Sequence, residues 1–219
     1  MNNLYIVVGG SGIVGTQVVR RLNDLGKSVV TFPTREILLG ETSELRESML
    51  GLIAGKSTDQ STTNIGLILA HRFREENIQS VLMNELRVSR DFVWQLSELC
   101  ASLRVIVFGS ITGSLVDNKS TEAYHYSKDL QKSIVRQSIR LSNLHMNLLE
   151  LNWFKKYPQA RASTEYLQLM DRLRRIMGEN NLPTVNSITD FSSALIETTN
   201  PPRGQTIVYD GGFSLFQIN

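Results

Sequence analysis

The chain predicts an α/β fold: one domain with a doubly wound parallel sheet of about seven strands in three αβα layers. Two patterns carry that expectation. Apolar, β-branched runs such as Ile6-Val7-Val8, Ile65–Ala70 and Arg104–Phe108 are too short for helices and do not alternate with polar residues. That is the signature of parallel strands covered on both faces. Between them lie segments with apolar residues at helical spacing, so strands and helices alternate and the crossovers are right-handed. At 219 residues, 41% hydrophobic and 20% charged, the chain suits one soluble domain with a substantial core.

In order, Ile6–Val8 is the first strand and Thr16–Leu25 the first helix, with Val18, Val19, Leu22 and Leu25 as its apolar stripe and Gly26 as its C-terminal cap. Ser28–Phe32 is the second strand. Pro33-Thr34-Arg35 then leads into Glu36–Leu39, which reads as a short third strand, so the second crossover is expected to be nearly helix-free. Ser43–Ala54 is a helix, and the Ser/Thr-rich stretch Gly55–Asn64 is a surface loop. After the fourth strand, Ile65–Ala70, comes the longest helical pattern, Asn77–Ala101. Arg104–Phe108 is the fifth strand, Thr121–Leu141 a helix and Met146–Leu151 the sixth strand. Thr164–Met177 is helical, Ser187-Ile188-Thr189-Asp190 looks like a capping box opening the last helix, and Gln205–Tyr209 is the seventh strand.

A formal charge of +2 speaks against a nucleic-acid or membrane-surface partner. The single cysteine, Cys100, excludes an internal disulfide framework and fits a reducing compartment. The N-terminal apolar run is brief, has no basic flank and enters a glycine-rich turn, so no signal peptide is expected and the location is read as cytoplasmic. His71, His125 and His145 lack metal-ligand spacing, which leaves no expected metal site. The cluster Arg172, Arg174 and Arg175 reads as a solvated helix face.

The candidate chemistry begins at Gly9-Gly10-Ser11-Gly12-Ile13-Val14-Gly15. Glycines between a buried strand and an amphipathic helix allow a tight turn, close backbone approach to a pyrophosphate and close helix–strand packing. The phosphates would meet the free N–H groups and positive dipole end of the helix. No Gly-Lys-Ser/Thr follows, so the loop is not that of a phosphate-transferring NTPase. Further on, Tyr124-His125-Tyr126-Ser127-Lys128 places a phenol and an ammonium at i and i+4 of a helix, hence on one face. A neighbouring cation favours phenolate, which lets a tyrosine exchange protons near neutrality. Ser110, just past the fifth strand, lies at the sheet end where open α/β folds place ligands, and its hydroxyl could bond the same substrate oxygen.

The spacing Gly9-x-x-Gly12-x-x-Gly15, followed by Tyr124-x-x-x-Lys128 on the right elements, resembles the short-chain dehydrogenase/reductase family, with the glycine loop of its extended and atypical branches. The closing Asp210-Gly211-Gly212-Phe213 is similar to the last strand of compact members. The resemblance implies a Rossmann-type sheet and hydride exchange between NADP or NAD and a carbonyl or secondary alcohol of a small molecule. It assigns Tyr124 as acid/base, Lys128 as the residue that lowers the tyrosine's pKa and holds the nicotinamide ribose, and Ser110 as the group orienting the substrate oxygen. It also suggests Asn84 as the holder of a water near the lysine, and Ala70 and His71 as the loop beside the adenosine ribose. Phe32-Pro33-Thr34-Arg35 has no carboxylate where NAD enzymes carry one, and its guanidinium suits a 2′-phosphate, so Thr34 and Arg35 point to NADP.

The chain departs from the family in several places, among them Gly109-Ser110, where two hydroxyls are usual. Val8 stands where a threonine is usual, Ala70-His71-Arg72 replaces Asn-Ala-Gly, and Asn152-Trp153 replaces Pro-Gly. Asn152–Pro183 would be the substrate-side segment, within a single domain spanning 1–219. A nucleotide-sugar reductase or epimerase is the alternative enzyme, suggested by the glycine spacing and the short second crossover. A non-catalytic dinucleotide-binding redox sensor is the alternative outside enzymes. Val88, Phe92 and Trp94, with Ile134, Val135, Ile139 and Leu141, spread over more than one face of helices 77–101 and 121–141. Such faces predict a homodimer, or a homotetramer of dimers, through those helices.

Overall fold

β1 (Leu4–Val8) is buried at every residue and forms the middle of the first half of the sheet, parallel to β2 (Ser28–Phe32) on one side and β3 (Asn64–Leu69) on the other. β4 (Ser102–Ser110), β5 (Leu144–Leu151) and β6 (Thr206–Tyr209) extend it beyond β3, giving a six-stranded parallel sheet in the order β2-β1-β3-β4-β5-β6. The computed structural model describes residues 4–55, 64–73, 77–110, 119–151, 175 and 183–209. Both faces of the sheet are covered. α1 (Ile13–Asp24) and α7 (Val185–Glu197) pack on one, burying Val18, Leu22, Ile188 and Ile196 against Tyr5, Val7 and Ile68. The other face carries α3 (Thr42–Ala54), α4 (Ile78–Leu86), α5 (Val93–Ser97) and α6 (Lys119–Gln137), with Met49, Val88, Phe92, Ile134 and Val135 against Ile6, Leu67 and Val105. This is the expected three-layer arrangement.

Glu36–Leu39 is not a strand. It lies in α2 (Thr34–Leu39), where the Glu36 N–H bonds the Pro33 carbonyl and the Gly40 N–H bonds the Glu36 carbonyl. Pro33 holds an extended backbone just before the helix, and of the three apolar residues only Ile37 is buried, while Leu39 is 70% exposed. A four-residue apolar run cannot separate strand from buried helix by periodicity. The second crossover therefore contains two helices, and the described sheet has six strands rather than seven.

The long pattern at 77–101 is also not one helix. After α4 it widens into a π-helical segment over Arg87–Phe92, continues as α5 and ends at Ser97. The wide turn puts Val88, Ser89, Phe92, Val93 and Leu96 all inside. Val88, Phe92, Ile134 and Val135 are thus core residues of this chain, and Trp94 and Leu141 pack against the same core. The multiple apolar faces come from the π turn and the sheet, which removes them as a sign of a partner; of the residues cited for that expectation, Ile139 is exposed. The last capping box sits earlier than expected, with Thr184 as N-cap and Ser187 answering from N3. The predicted features at Thr164–Met177 (apart from Arg175), Asn152-Trp153, most of Gly55–Asn64 and Asp210–Phe213 lie outside the described residues.

Candidate active site

The glycine turn follows the carboxyl end of β1 and is closed by its own backbone. The Gly12 N–H bonds the Gly9 carbonyl at 3.0 Å, and the Thr16 N–H bonds the Gly12 carbonyl at 2.8 Å. Two glycines are demanded by geometry. Gly9 has φ +82°, and a Cβ there would sit 2.8 Å from the His71 nitrogen and 2.9 Å from the Ala70 carbonyl carbon. A Cβ on Gly15 would stand 2.0 Å from the Gly9 oxygen. Helix α1 thereby starts almost against the turn, with Gly12 as N-cap and no side chain on its first N–H groups. Those donors are what a pyrophosphate requires. Ser11, Gly12 and Ile13 form an exposed rim, and Ile13 leaves 42% of its surface in solvent, an apolar edge that a bound dinucleotide would cover. Because β2 lies on one side of β1 and β3 on the other, the turn sits where the chain's winding reverses. Open α/β sheets bind ligands at this crevice.

On the β3 side Ala70 is tied to β1 by its N–H to the Val8 carbonyl, at 2.9 Å. His71, next in the chain, turns inward and is 5% exposed. On the β2 side Thr34 and Arg35 occupy the first turn of α2, with Arg35 exposed. Both therefore stand at the end of the strand flanking the glycine turn.

The second half of the site is built by β4 and α6. Ser110 ends β4, in register with Leu151 of β5. Tyr124 and Lys128 share one face of α6, as the spacing predicts, and the Lys128 Nζ lies 5.3 Å from the centroid of the Tyr124 ring. The Arg72 guanidinium stands over the same ring at 4.8 Å. Lys128 is only 6% exposed. Its Nζ donates to the Phe108 carbonyl of β4 at 3.1 Å and to Gln131 Oε1 at 3.0 Å.

Behind the lysine lies a sealed polar cluster that reading the sequence missed. Glu85 of α4 is 1% exposed and accepts from four side chains. His71 Nε2 is 3.0 Å and Gln131 Nε2 2.8 Å from Oε1, Ser127 Oγ is 2.7 Å from Oε2, and Ser89 Oγ also donates to Oε1. Burial alone would raise the Glu85 pKa; His71, Lys128 and the Ser89 hydroxyl outweigh it and bring the carboxyl down to about 2. One signal was available. Glu85 falls in the apolar register of Val81, Val88 and Phe92, where an acid needs partners. Asn84 lies on the adjoining, more exposed face, lining a shallow groove with Asn77, Ser80, Met83 and Arg87. The described hydrogen bonds of Lys128 go to the Phe108 carbonyl and to Gln131, which in turn reaches Glu85. Among the described residues no metal-ligand cluster occurs, and no helix is long and apolar enough to cross a membrane.

No family model matches the chain, and no curated protein matches it in sequence. Solved structures do match. A short-chain dehydrogenase/reductase from Mycobacterium ulcerans superposes with a TM-score of 0.70 at 13% identity, covering 98% of this chain and 90% of that one. A small-chain dehydrogenase in complex with NADPH gives 0.68 at 10% identity, covering 97% and 98%. A gluconate 5-dehydrogenase from Burkholderia cenocepacia, in complex with NADP and tartrate, gives 0.65 at 11% identity, covering 97% and 95%. Over nearly its whole length, this chain has the fold of the short-chain dehydrogenases/reductases.

Proposed function

We propose that the chain is an NAD(P)-dependent short-chain dehydrogenase/reductase that exchanges hydride with a small-molecule carbonyl or secondary alcohol. The observation that carries this reading is the pairing of Tyr124 with a buried, doubly held Lys128 on α6, at the sheet end where the glycine turn opens. The site fits a dinucleotide: Gly9 and Gly15 leave no room for side chains, the first N–H groups of α1 are uncapped, and the apolar Ile13 is left in solvent. Gly9, Gly10, Ser11, Gly12, Ile13 and Gly15 would hold the pyrophosphate, with Ala70 and His71 beside the adenosine. When bound, the nicotinamide supplies or accepts the hydride.

The protein's own part is proton transfer and orientation. Tyr124 donates a proton to the substrate oxygen in reduction and accepts it back in oxidation. Lys128, with its charge beside the ring, favours the phenolate that forms when the proton leaves. Ser110 bonds the same oxygen, and Asn84 remains a candidate for ordering water nearby. Arg35, exposed at the end of β2, favours a 2′-phosphate and hence NADP. A homodimer or homotetramer through α4 and α6 stays part of the proposal, and the exposed Met83 and Tyr126 on those helices are what support it. The helical second crossover takes away one of the two features that had favoured a sugar-nucleotide enzyme, and the glycine spacing is the one left.

The test is NADPH oxidation followed against a panel of aldehydes, ketones and diketones, in wild type and Tyr124→Phe. Turnover of a panel member that falls by about a thousandfold or more in Tyr124→Phe, with NADPH still bound, is the expected result. Retained turnover in that variant overturns the assignment of the proton donor.

A further inference from the structure

Lys128 carries a charge in a place with almost no solvent, and a buried ammonium requires compensation. Its two described bonds go to neutral oxygens, the Phe108 carbonyl and Gln131 Oε1. The negative charge lies one step further on. Lysine only donates, so Gln131 must present its Oε1 to Lys128 and its NH2 to the other side. That orientation aims Nε2 at Glu85 Oε1, where the 2.8 Å bond is found. Glu85 then receives donors from His71, Ser89 and Ser127 as well, an environment built for a carboxylate and not for a carboxylic acid. Glu85 is therefore the anion that answers Lys128, with the Gln131 amide as the rigid link.

We propose, on the basis of the dehydrogenase reading, that Glu85 is a positioning residue of the reaction. Acting through Gln131, it holds the Lys128 ammonium in place beside Tyr124. The same carboxylate fixes His71, whose backbone abuts Gly9. It thereby ties the lysine to the strand end beside the glycine turn. The charged groups described around Tyr124 and Lys128 are thus Arg72 from the end of β3 and Glu85 from α4, with the His71 ring against Glu85 and the Phe108 carbonyl as the described contact from β4.

The experiment reads Lys128 directly and needs no known substrate. A neutral, loosely held amine acylates and a charged, fixed one does not. Trace acetylation with acetic anhydride is measured by mass spectrometry as the ratio of Lys128 to Lys132, one turn further along α6. The ratio is expected to rise about fivefold in Glu85→Gln and in Gln131→Met, the second variant serving if the first does not fold. It should return to within about twofold of wild type in the exchange variant Glu85→Gln/Gln131→Glu, which restores the charge beside the lysine. In a protein that turns over a panel carbonyl, kcat should fall about tenfold or more in the single variants, with KM for NADPH within about threefold. An unchanged ratio in both folded single variants overturns the proposal, as does an exchange variant that leaves the ratio raised. A wild type that reduces no panel member while the ratios behave as stated counts against the dehydrogenase reading and supports the hold of Glu85 on Lys128.

Discussion

Among the described residues, one carboxylate network lies at the amino end of the strands and another at the carboxyl end. At the amino end of β1, the Tyr5 hydroxyl bonds Ser193 Oγ at 3.0 Å and donates to Glu197 Oε1 at 2.8 Å, and Lys27 pairs with the same carboxylate. At the carboxyl end, Glu85 gathers four donors and is sealed. In the first network burial pushes the Tyr5 phenol up, and the half-exposed Glu197 is drawn down by Lys27 and Tyr5 against the effect of its own burial. Its pieces join β1 to α7 and its charges reach water. That is the chemistry of a fastening. The Glu85 cluster includes the one buried lysine among the described residues, beside the Tyr124 ring at the carboxyl end of the sheet. The difference teaches that burial of charge, which costs free energy, is spent where the lysine must be held.

The largest expected effect sharpens the contrast at the carboxyl end. Gly15→Ala would put a methyl 2.0 Å from the Gly9 oxygen, so the turn must open and α1 shift. NADPH affinity should fall about a hundredfold or more, measured by fluorescence titration, or the variant should not fold. Gly51→Ala is the matched control in α3, where a Cβ meets nothing within 4 Å, and it should be neutral or slightly stabilising.

Next come the two carboxylates. Glu85→Ala orphans four donors and a buried cation and should cost about 3–5 kcal/mol in urea unfolding, whereas Glu197→Gln should cost under about 1 kcal/mol because its pair is solvent-screened. The Glu85 carboxyl is lowered in the folded protein, so its contribution to stability is complete above the unfolded value, near ~4.5, and disappears as pH falls toward about 2. Acid unfolding between about pH 5 and pH 2 should lose that limb in Glu85→Gln. Equal costs for the two acids would break the comparison.

A smaller effect is expected from Arg35→Ala, which should reduce the preference for NADPH over NADH by about tenfold, while tighter NADH binding by wild type would overturn the NADP assignment. Smallest is assembly. Met83→Glu, on the exposed side of α4, should leave folding intact and shift light-scattering mass toward the monomer value of 24.7 kDa, and a wild type already at that mass refutes the dimer.

The sequence alone determined the elements whose signals are local. Largely apolar, β-branched runs marked β1, β3 and β4, because a strand covered on both faces does not alternate with polar residues. Gly9-Gly10-Ser11-Gly12 between strand and helix, and Tyr124 four residues before Lys128, were legible because both are short-range patterns with one physical meaning. Tertiary structure decided the rest. Glu36–Leu39 became a helix, since Pro33 and the packing of Ile37 outweighed an ambiguous apolar run. Val88 and Phe92 became core because a π turn, invisible in a 3.6-residue period, rotated one helix within its length, and Val135 became core because α6 packs on the sheet. Glu85, Ser127, Gln131 and His71 come from three separate elements, and no spacing along the chain brings them together. Pairing an acid with a lysine 43 residues away depends on how α4 and α6 pack on the sheet, which only the folded chain settles.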